Sequence, residues 1–195
     1  GRAVPLALNA LDAVARVGDE LARDLPRLDV LVHNASIYGP TPLDDLTGEA
    51  LLRHCRVNAL APALLTRALA GRLRASTLPS RGAIVAMCDI HAMGRPRRDF
   101  LAYSMSKAAL AEMVRTLARD LAPEVRVNGV APGVVAWPER GYESDERAQE
   151  AYIRRVPLQR AGTPGDAAAT VRWLALDAAY VTGEIVRLDG GRWLA

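Results

Sequence analysis

Short apolar runs alternate with longer segments of helical periodicity, and this alternation limits the fold more than any other feature of the chain. Runs too short for a helix predict buried strands, at 4–9, 29–33, 83–87, 125–130 and 183–188. Apolar residues at helical spacing predict helices at 11–25, 47–74 (capped by Thr47 and bent near Pro62), 102–121, 144–154 and 165–176. Strands that alternate with helices form a parallel sheet covered on both faces. The expected fold is therefore α/β, a doubly wound parallel sheet in one domain over residues 1–195.

The residues that directly follow the predicted strands are the first candidates for a ligand site. In open α/β sheets, ligands bind beyond the carboxyl ends of the strands. Asn34, Ala35 and Ser36 follow one predicted strand, Cys88 and Asp89 follow the next, and Pro132 and Gly133 follow a third. We expect these three segments to meet at one edge of the sheet.

Composition narrows the classes of function. The net charge is only +3, and the densest basic cluster, formed by Arg95, Arg97 and Arg98, has no interleaved aromatic residues. It predicts a solvent-exposed loop and no nucleic-acid interface. No apolar run has the length of a membrane span and no signal peptide is recognisable, so a cytoplasmic protein is expected. Cys55 and Cys88 lie outside any CxxC or Cys/His cluster, which predicts small buried residues, no disulfide and no metal.

Tyr103 and Lys107 form the candidate catalytic pair. Four residues apart on a predicted helix, they lie on the same face. A neighbouring ammonium stabilises phenolate and lowers the pKa of tyrosine, which makes it usable as a general acid. Lys107 is also the only lysine among 25 basic residues, as expected where a guanidinium cannot replace an ammonium. Two alternatives stay open at this point: Lys107 is the only lysine by chance, or Tyr103 and Lys107 are an incidental pair on an exposed helix face.

Five motifs, in their order and spacing, resemble the short-chain dehydrogenase/reductase family over essentially the whole chain. They are residues 33–36, Val57 with Asn58, Tyr103 with Lys107, residues 126–133, and Gly183 with residues 188–191. The resemblance implies a Rossmann-like sheet, a nicotinamide cofactor, and a homotetramer formed by the full-length protein through helices 47–74 and 102–121. It assigns catalysis to Tyr103, Lys107 and Asn58, with Asn58 holding a water in a proton relay to the lysine. It assigns cofactor binding to Asn34, Ala35, Ser36, Tyr103, Lys107, Pro132 and Gly133.

One departure from the family concerns the cofactor. Its glycine-rich TGxxxGxG loop, which holds the cofactor pyrophosphate at a helix N-terminus, does not occur in this sequence. Asn9 lies 25 residues before Asn34, near the place where the family carries an Asp at the end of its third strand. The resemblance thus implies an N-terminally truncated domain without its first two strands, with a gap between the first remaining strand and the others. NADPH is favoured over NADH on the resemblance alone.

A second departure concerns the catalytic serine, because Asp89 stands in its place, 14 residues before Tyr103. A serine hydroxyl suits a ketone or alcohol oxygen, whereas a carboxyl group can donate a proton to a ring nitrogen or pair with it. An Asp here resembles pteridine reductases and the short-chain dihydromonapterin or dihydrofolate reductases. Residues 34–42 also resemble these enzymes, and Tyr38 stands where an aromatic ring stacks on the pterin. A loop-capping Asp89 and a Tyr38 packed on Pro40 are the plainer alternatives.

The expected function is NADPH-dependent reduction of a pteridine, with Asp89, Tyr103 and Tyr38 contacting the substrate. Hydride would reach a ring carbon and Tyr103 would protonate the adjacent nitrogen. Two alternatives stay open. One is an ordinary short-chain reductase of a carbonyl substrate such as an oxoacyl thioester or a sugar, against which the missing serine argues. The other is a non-catalytic remnant that acts only as an assembly partner, for which the missing phosphate loop argues.

Lys107 provides the first test. We expect Lys107→Arg to abolish most reductase activity of the full-length protein, because guanidinium keeps the charge but changes its reach and bulk. Steady-state turnover of the purified variant measures the effect. Turnover close to that of the wild type would remove Lys107 from the mechanism.

Overall fold

The computed structural model describes residues 3–139 and 142–195. Its helices are α1 Leu11–Asp24, α2 Gly48–Cys55, α3 Ala61–Arg74, α4 Leu101–Asp120, α5 Glu146–Ile153 and α6 Pro164–Arg172. Its strands are β1 Val30–His33, β2 Gly82–Met87, β3 Val125–Pro132 and β4 Ile185–Leu188. They form one parallel sheet in the order β1-β2-β3-β4. The predicted α/β Rossmann-like parallel sheet is confirmed, and its ten elements lie within a few residues of their predicted positions.

The strand predicted at residues 4–9 is wrong. This segment has no regular structure before a turn at residues 8 and 9. A strand needs a neighbour for its N–H and C=O groups, and none of the four described strands pairs with it. The expected gap between this strand and the rest of the sheet is accordingly not found.

The bend expected near Pro62 takes the form of a wider helical turn. Thr47 caps α2, since its hydroxyl accepts a hydrogen bond from the Ala50 amide at 3.1 Å. The helix then passes through a π-helical stretch, Arg56–Leu60, before α3 begins. Proline has no N–H for an i→i−4 bond, and Pro62 lies in the first turn of α3. The widened stretch, of a kind often found at functional sites, contains Asn58.

The two faces of the sheet bury separate cores because neighbouring strand residues point to opposite sides. Ile84 of β2 packs with residues of α3 and α4 such as Leu73 and Val114. Val85 packs on the other face against Leu174. Four of the six residues of β2 are less than 2% exposed, so this strand is a rigid support for the residues that follow it.

Two further predictions concern the burial of the cysteines and the lack of a membrane-spanning segment. Cys88 is buried as predicted, whereas Cys55 is only half-buried. In the part of the chain that the structure describes, no helix has both the length and the apolar character needed to cross a bilayer.

Two glycines give a matched test of the packing that supports β2. A Cβ on Gly82 would overlap the main-chain carbonyl of Leu73, whereas a Cβ on Gly71 of α3 would meet open space. We expect Gly82→Ala to lower the free energy of unfolding by about 1–3 kcal/mol through overpacking, and Gly71→Ala to raise it by up to about 1 kcal/mol through helix propensity. Urea denaturation of both full-length variants measures this. A Gly82→Ala protein as stable as the wild type would contradict the packing described.

His33 at the end of β1 gives a test by pH. Its Nε2 lies 2.9 Å from the Thr66 hydroxyl, and burial lowers the pKa of His33 from 6.5 to about 4. The unfolded chain therefore binds a proton at a higher pH than the folded one does. Stability is full above pH 6.5 and falls as the pH drops to about 4, by about 3 kcal/mol in all.

The control is His33→Asn, which cannot titrate. Chemical denaturation at pH 7, 5.5 and 4 should give a smaller loss of stability for the variant than for the wild type. Equal losses in the two proteins would mean that His33 is not the group responsible.

Candidate active site

A cleft of about 440 Å³ lies beyond the carboxyl ends of β1, β2 and β3. The three post-strand segments predicted to meet do meet there, together with one face of α4. Among the predicted site residues, the cleft is lined by Asn34, Ser36, Tyr38, Asp89, Tyr103, Lys107, Pro132 and Gly133. Ala35 and Asn58 do not line it, and Asn58 lies buried behind its wall.

Asp89 connects the end of β2 to Tyr103. Its Oδ1 accepts a hydrogen bond from the His91 amide at 2.7 Å and thereby caps the 3₁₀ turn Ile90–Met93. Its Oδ2 accepts a hydrogen bond from the Tyr103 hydroxyl, also at 2.7 Å. The carboxylate is thus a loop cap through one oxygen, and it holds the candidate catalytic tyrosine through the other.

The pKa of Tyr103 is raised, and the expectation that Lys107 lowers it is wrong for this structure. Burial has the largest effect, followed by the charge of Asp89 and the hydrogen bond to it. The Lys107 ammonium lies 6.0 Å from the centre of the Tyr103 ring and donates to the carbonyl oxygen of Met87 at 2.7 Å. Burial lowers the pKa of Lys107 itself. Tyr103 therefore holds its proton as a neutral phenol at physiological pH.

Asn58 fastens the loop after β1 to α4. Its Oδ1 accepts from the Ser36 hydroxyl at 3.1 Å and from the Ile37 amide at 2.9 Å. Its Nδ2 donates to the Ile37 carbonyl at 3.0 Å and to the Ser106 hydroxyl at 2.9 Å. Ser106 in turn donates to the carbonyl of Tyr103 at 2.7 Å. Asn58 makes no hydrogen bond to Lys107 in the described structure, and the proposed relay through a water stays a prediction.

Tyr38 stands beside Tyr103, although the two are 65 residues apart in the chain. Their ring centres are 4.9 Å apart in an edge-to-face arrangement. The Tyr38 hydroxyl donates to Glu143 Oε2 at 2.7 Å and accepts a hydrogen bond from Arg97. Burial and the hydrogen bond to Glu143 raise the pKa of Tyr38. Tyr38 still has 46% of its surface exposed, so a planar ligand can reach its ring.

The prediction that the basic cluster is a solvent-exposed loop is wrong for Arg97. Its side chain is only 24% exposed and pairs with Glu143 at 2.8 Å. The guanidinium also lies 4.0 Å from the centre of the Phe100 ring. Arg98 is exposed as predicted. The signal that could have separated the two arginines is Phe100, the single phenylalanine of the chain, three residues beyond Arg97.

The far wall of the cleft contains residues that sequence reasoning did not place in the site. Glu143, His91 and Tyr152 line it, together with Trp137 of the covering segment, which connects β3 to α5. The rings of Trp137 and Tyr152 meet edge to face with centres 5.6 Å apart. The side chain of Tyr142, from the same covering segment, lies outside the described residues. These positions depend on how the segment after β3 folds back, which no local motif encodes.

The cleft suits the nicotinamide and ribose part of a dinucleotide. A buried ammonium, Lys107, and a phenol, Tyr103, face one space and can hydrogen-bond ribose hydroxyls. Gly133 brings the main chain close at the opposite wall, where a Cβ would lie 2.9 Å from the Tyr152 hydroxyl. If a nicotinamide dinucleotide binds here, these residues would contact its nicotinamide and ribose.

The chain is similar in sequence to known proteins with different names, and three of them follow. FixR of Bradyrhizobium diazoefficiens is 36% identical over 86% of this chain and 60% of its own length. Pteridine reductase 1 of Leishmania tarentolae is 34% identical over 85% of this chain and 63% of its own length. The 3-oxoacyl-[acyl-carrier-protein] reductase FabG of Thermotoga maritima is 31% identical over 98% of this chain and 77% of its own length. The chain thus spans less than two thirds of FixR and of pteridine reductase 1.

A solved structure gives the same picture of the fold. A protein from Beutenbergia cavernae described as an NAD(P)-dependent gluconate 5-dehydrogenase, with NADP bound at low occupancy, superposes with a TM-score of 0.91 at 31% identity, over 100% of this chain and 77% of that one. A family model described as enoyl-(acyl carrier protein) reductase matches residues 2–192. With its parallel sheet and its tyrosine and lysine on one helix face, the chain belongs to the short-chain dehydrogenase/reductase family.

Proposed function

We propose that the full-length protein is an NADPH-dependent reductase of a pteridine ring, of the dihydropterin, dihydromonapterin or dihydrofolate type. The observation that carries this proposal is the 2.7 Å hydrogen bond from the Tyr103 hydroxyl to the Asp89 carboxylate. It joins a proton donor to a carboxylate at the place where a hydroxyl would serve a carbonyl substrate. The 34% identity to a pteridine reductase supports the same substrate class.

The chemistry of a carboxylate explains why a nitrogen heterocycle fits better than a ketone. An ionised carboxylate only accepts hydrogen bonds, whereas a serine hydroxyl also donates. A ketone oxygen that accepts from Tyr103 would meet a second acceptor in Asp89, where a serine would offer a second donor. A pteridine offers ring N–H and amino groups that can donate to Asp89, and ring nitrogens that can accept from Tyr103. One ring system therefore satisfies both members of the pair.

The aromatic wall supports a flat substrate. The Tyr38 ring is exposed at the cleft and is held by Glu143 and Arg97. A ring fixed in this way can stack on a planar heterocycle with little loss of side-chain entropy. Tyr38 and Tyr103 would then contact different edges of the same ligand.

In the proposed reaction, a hydride and a proton add to neighbouring atoms of the pteridine ring. When NADPH is bound, it supplies the hydride for a ring carbon. Tyr103 gives its proton to the adjacent ring nitrogen as a general acid, and Lys107 would hold the ribose of the cofactor through its ammonium. Asp89 orients the ring through its N–H groups. Before the substrate binds, the Tyr103 hydroxyl donates to Asp89, and the ring nitrogen would replace Asp89 as the acceptor of that hydrogen bond.

Reduction of a carbonyl substrate is the second candidate. FabG, a reductase of 3-oxoacyl thioesters by its name, matches 98% of this chain at 31% identity. The same Tyr103 and Lys107 would serve such a reaction. It is the weaker proposal because Asp89 offers no hydroxyl to a carbonyl oxygen.

Assembly and location stay predictions. A homotetramer of the full-length protein is supported by an open groove of about 650 Å³ between α3 and α4. The groove is lined largely by small and apolar side chains, namely Ala63, Ala70, Ala109, Met113, Leu117 and Leu121. We also retain the proposals of a cytoplasmic location and of no nucleic-acid or membrane partner.

Asp89 variants test the pteridine proposal. We expect Asp89→Ser and Asp89→Asn to reduce turnover of a dihydropterin by about a hundredfold in the full-length enzyme, the upper range for loss of a hydrogen bond to a charged group. Asn keeps the shape of Asp but not its charge, so the two variants separate size from ionisation. The readout is NADPH oxidation at saturating substrate.

The control is Asp120→Asn, a carboxylate at the far end of α4, which should have wild-type turnover. Dihydropterin turnover that is unchanged in Asp89→Ser would refute the role of Asp89. The broader assignment to a reductase would then rest on Tyr103 and Lys107 alone.

A further inference from the structure

A second recess, of about 220 Å³, opens beside the catalytic cleft. The recess and the cleft share five lining residues, namely His91, Arg97, Trp137, Glu143 and Tyr152. A ligand can therefore extend from the cleft into the recess. The rest of the recess is formed by Ala148, Ala151 and Arg155, on and just after α5, and by Arg192. His91 is joined directly to the catalytic wall, because its main-chain amide donates a hydrogen bond to the capping carboxylate of Asp89.

The charge of the recess is unbalanced. Glu143 neutralises Arg97 through an ion pair of 2.8 Å. Arg155 and Arg192 form no ion pair with any side-chain carboxylate in residues 3–139 and 142–195. Among the side chains that line the recess, Arg155 and Arg192 therefore have no carboxylate partner, whereas Arg97 has one.

Arg192 is the more deeply buried of the two arginines. It is only 6% exposed, yet its Nε has no hydrogen-bond partner among the described residues. Its Nη1 donates to the main-chain carbonyl of Ala195 at 3.0 Å, and its guanidinium lies 5.3 Å from the centre of the Tyr152 ring. A buried cation without an anionic partner is costly, and burial together with the nearby Arg95 lowers the pKa of Arg192.

The carboxylate of Asp189 does not form an ion pair with Arg192. Asp189 raises the pKa of Arg192 through its charge, but its two oxygens accept hydrogen bonds from the amides of Gly191 at 3.0 Å and Trp193 at 2.8 Å. Asp189 is thus committed to the turn after β4. Arg192 lines the recess, and its Nη2 donates to none of the described residues.

We propose that this recess binds an anionic group of the substrate, a carboxylate or a phosphate, through Arg192 and Arg155 while the reacting ring lies between Tyr38 and Asp89. The inference rests on the proposed function, and it narrows the substrate to a pteridine with an acidic side chain, as in dihydrofolate, in preference to a neutral dihydropterin. Guanidinium groups bind carboxylate and phosphate through paired, charge-assisted hydrogen bonds.

Paired kinetics test this in the full-length holoenzyme. The measured quantity is the ratio of kcat/KM for dihydrofolate to kcat/KM for dihydrobiopterin, which has an uncharged side chain. We expect Arg192→Gln and Arg155→Gln each to lower this ratio by about tenfold or more, as for loss of a hydrogen bond to a charged group. Arg155 is exposed, so its variant keeps the test valid if Arg192→Gln does not fold.

Arg74→Gln is the matched control, because Arg74 is an exposed arginine at the end of α3 and lines neither pocket. Its ratio should equal that of the wild type. A ratio that is unchanged in both Arg192→Gln and Arg155→Gln would overturn the inference, even if the enzyme reduces pteridines efficiently.

Isothermal titration calorimetry tests anion binding in the recess independently of catalysis. 4-Aminobenzoylglutamate, its dimethyl ester and inorganic phosphate are titrated into the full-length enzyme with NADP bound. Binding of the diacid but not of the ester, weakened about tenfold in Arg155→Gln, supports a carboxylate site, and preferential binding of phosphate supports a phosphate-bearing substrate. Diacid binding without any pteridine reduction would reject the proposed function and keep the recess. Binding of neither anion would reject the recess.

Discussion

The candidate site depends on the four hydrogen bonds of one buried amide. Asn58 is 1% exposed and ties the loop after β1 to α4 through Ile37 and Ser106. A side-chain amide can donate and accept at once, and both of its ends are used here. A second link joins the same loop to the start of α4, because the Thr41 hydroxyl accepts a hydrogen bond from the Ala102 amide at 3.2 Å. The π-helical stretch before α3 is what brings Asn58 into reach.

Charge is distributed unevenly around this anchor. The centre of the cleft has the carboxylate of Asp89 against a phenol, whereas the adjoining recess is lined by two arginines that pair with no side-chain carboxylate of the described residues. A substrate with donors on its ring and an acidic side chain would complement both regions. The ion pair of Arg97 and Glu143 lies between them and fixes the ring of Tyr38.

Local patterns predicted the sheet, the helices and the residues that follow each strand, because these depend on short-range periodicity and on the parallel arrangement. They failed where the outcome depends on tertiary neighbours. Residues 4–9 have strand-like composition but no partner strand in the described sheet. Arg97 was assigned to solvent because Glu143, its partner, is 46 residues away. The pKa of Tyr103 was predicted to fall because Lys107 is four residues away, whereas burial and Asp89, which no helical spacing reveals, raise it.

The central claim is that the pairing of Tyr103 with Asp89 selects a nitrogen heterocycle over a carbonyl. The most direct measurement is a competition in which the full-length wild-type enzyme and NADPH are given equal concentrations of a dihydropterin and a 3-oxoacyl thioester, and both products are quantified early in the reaction. The account predicts that the tetrahydropterin dominates. Preferential formation of the hydroxyacyl thioester would contradict it.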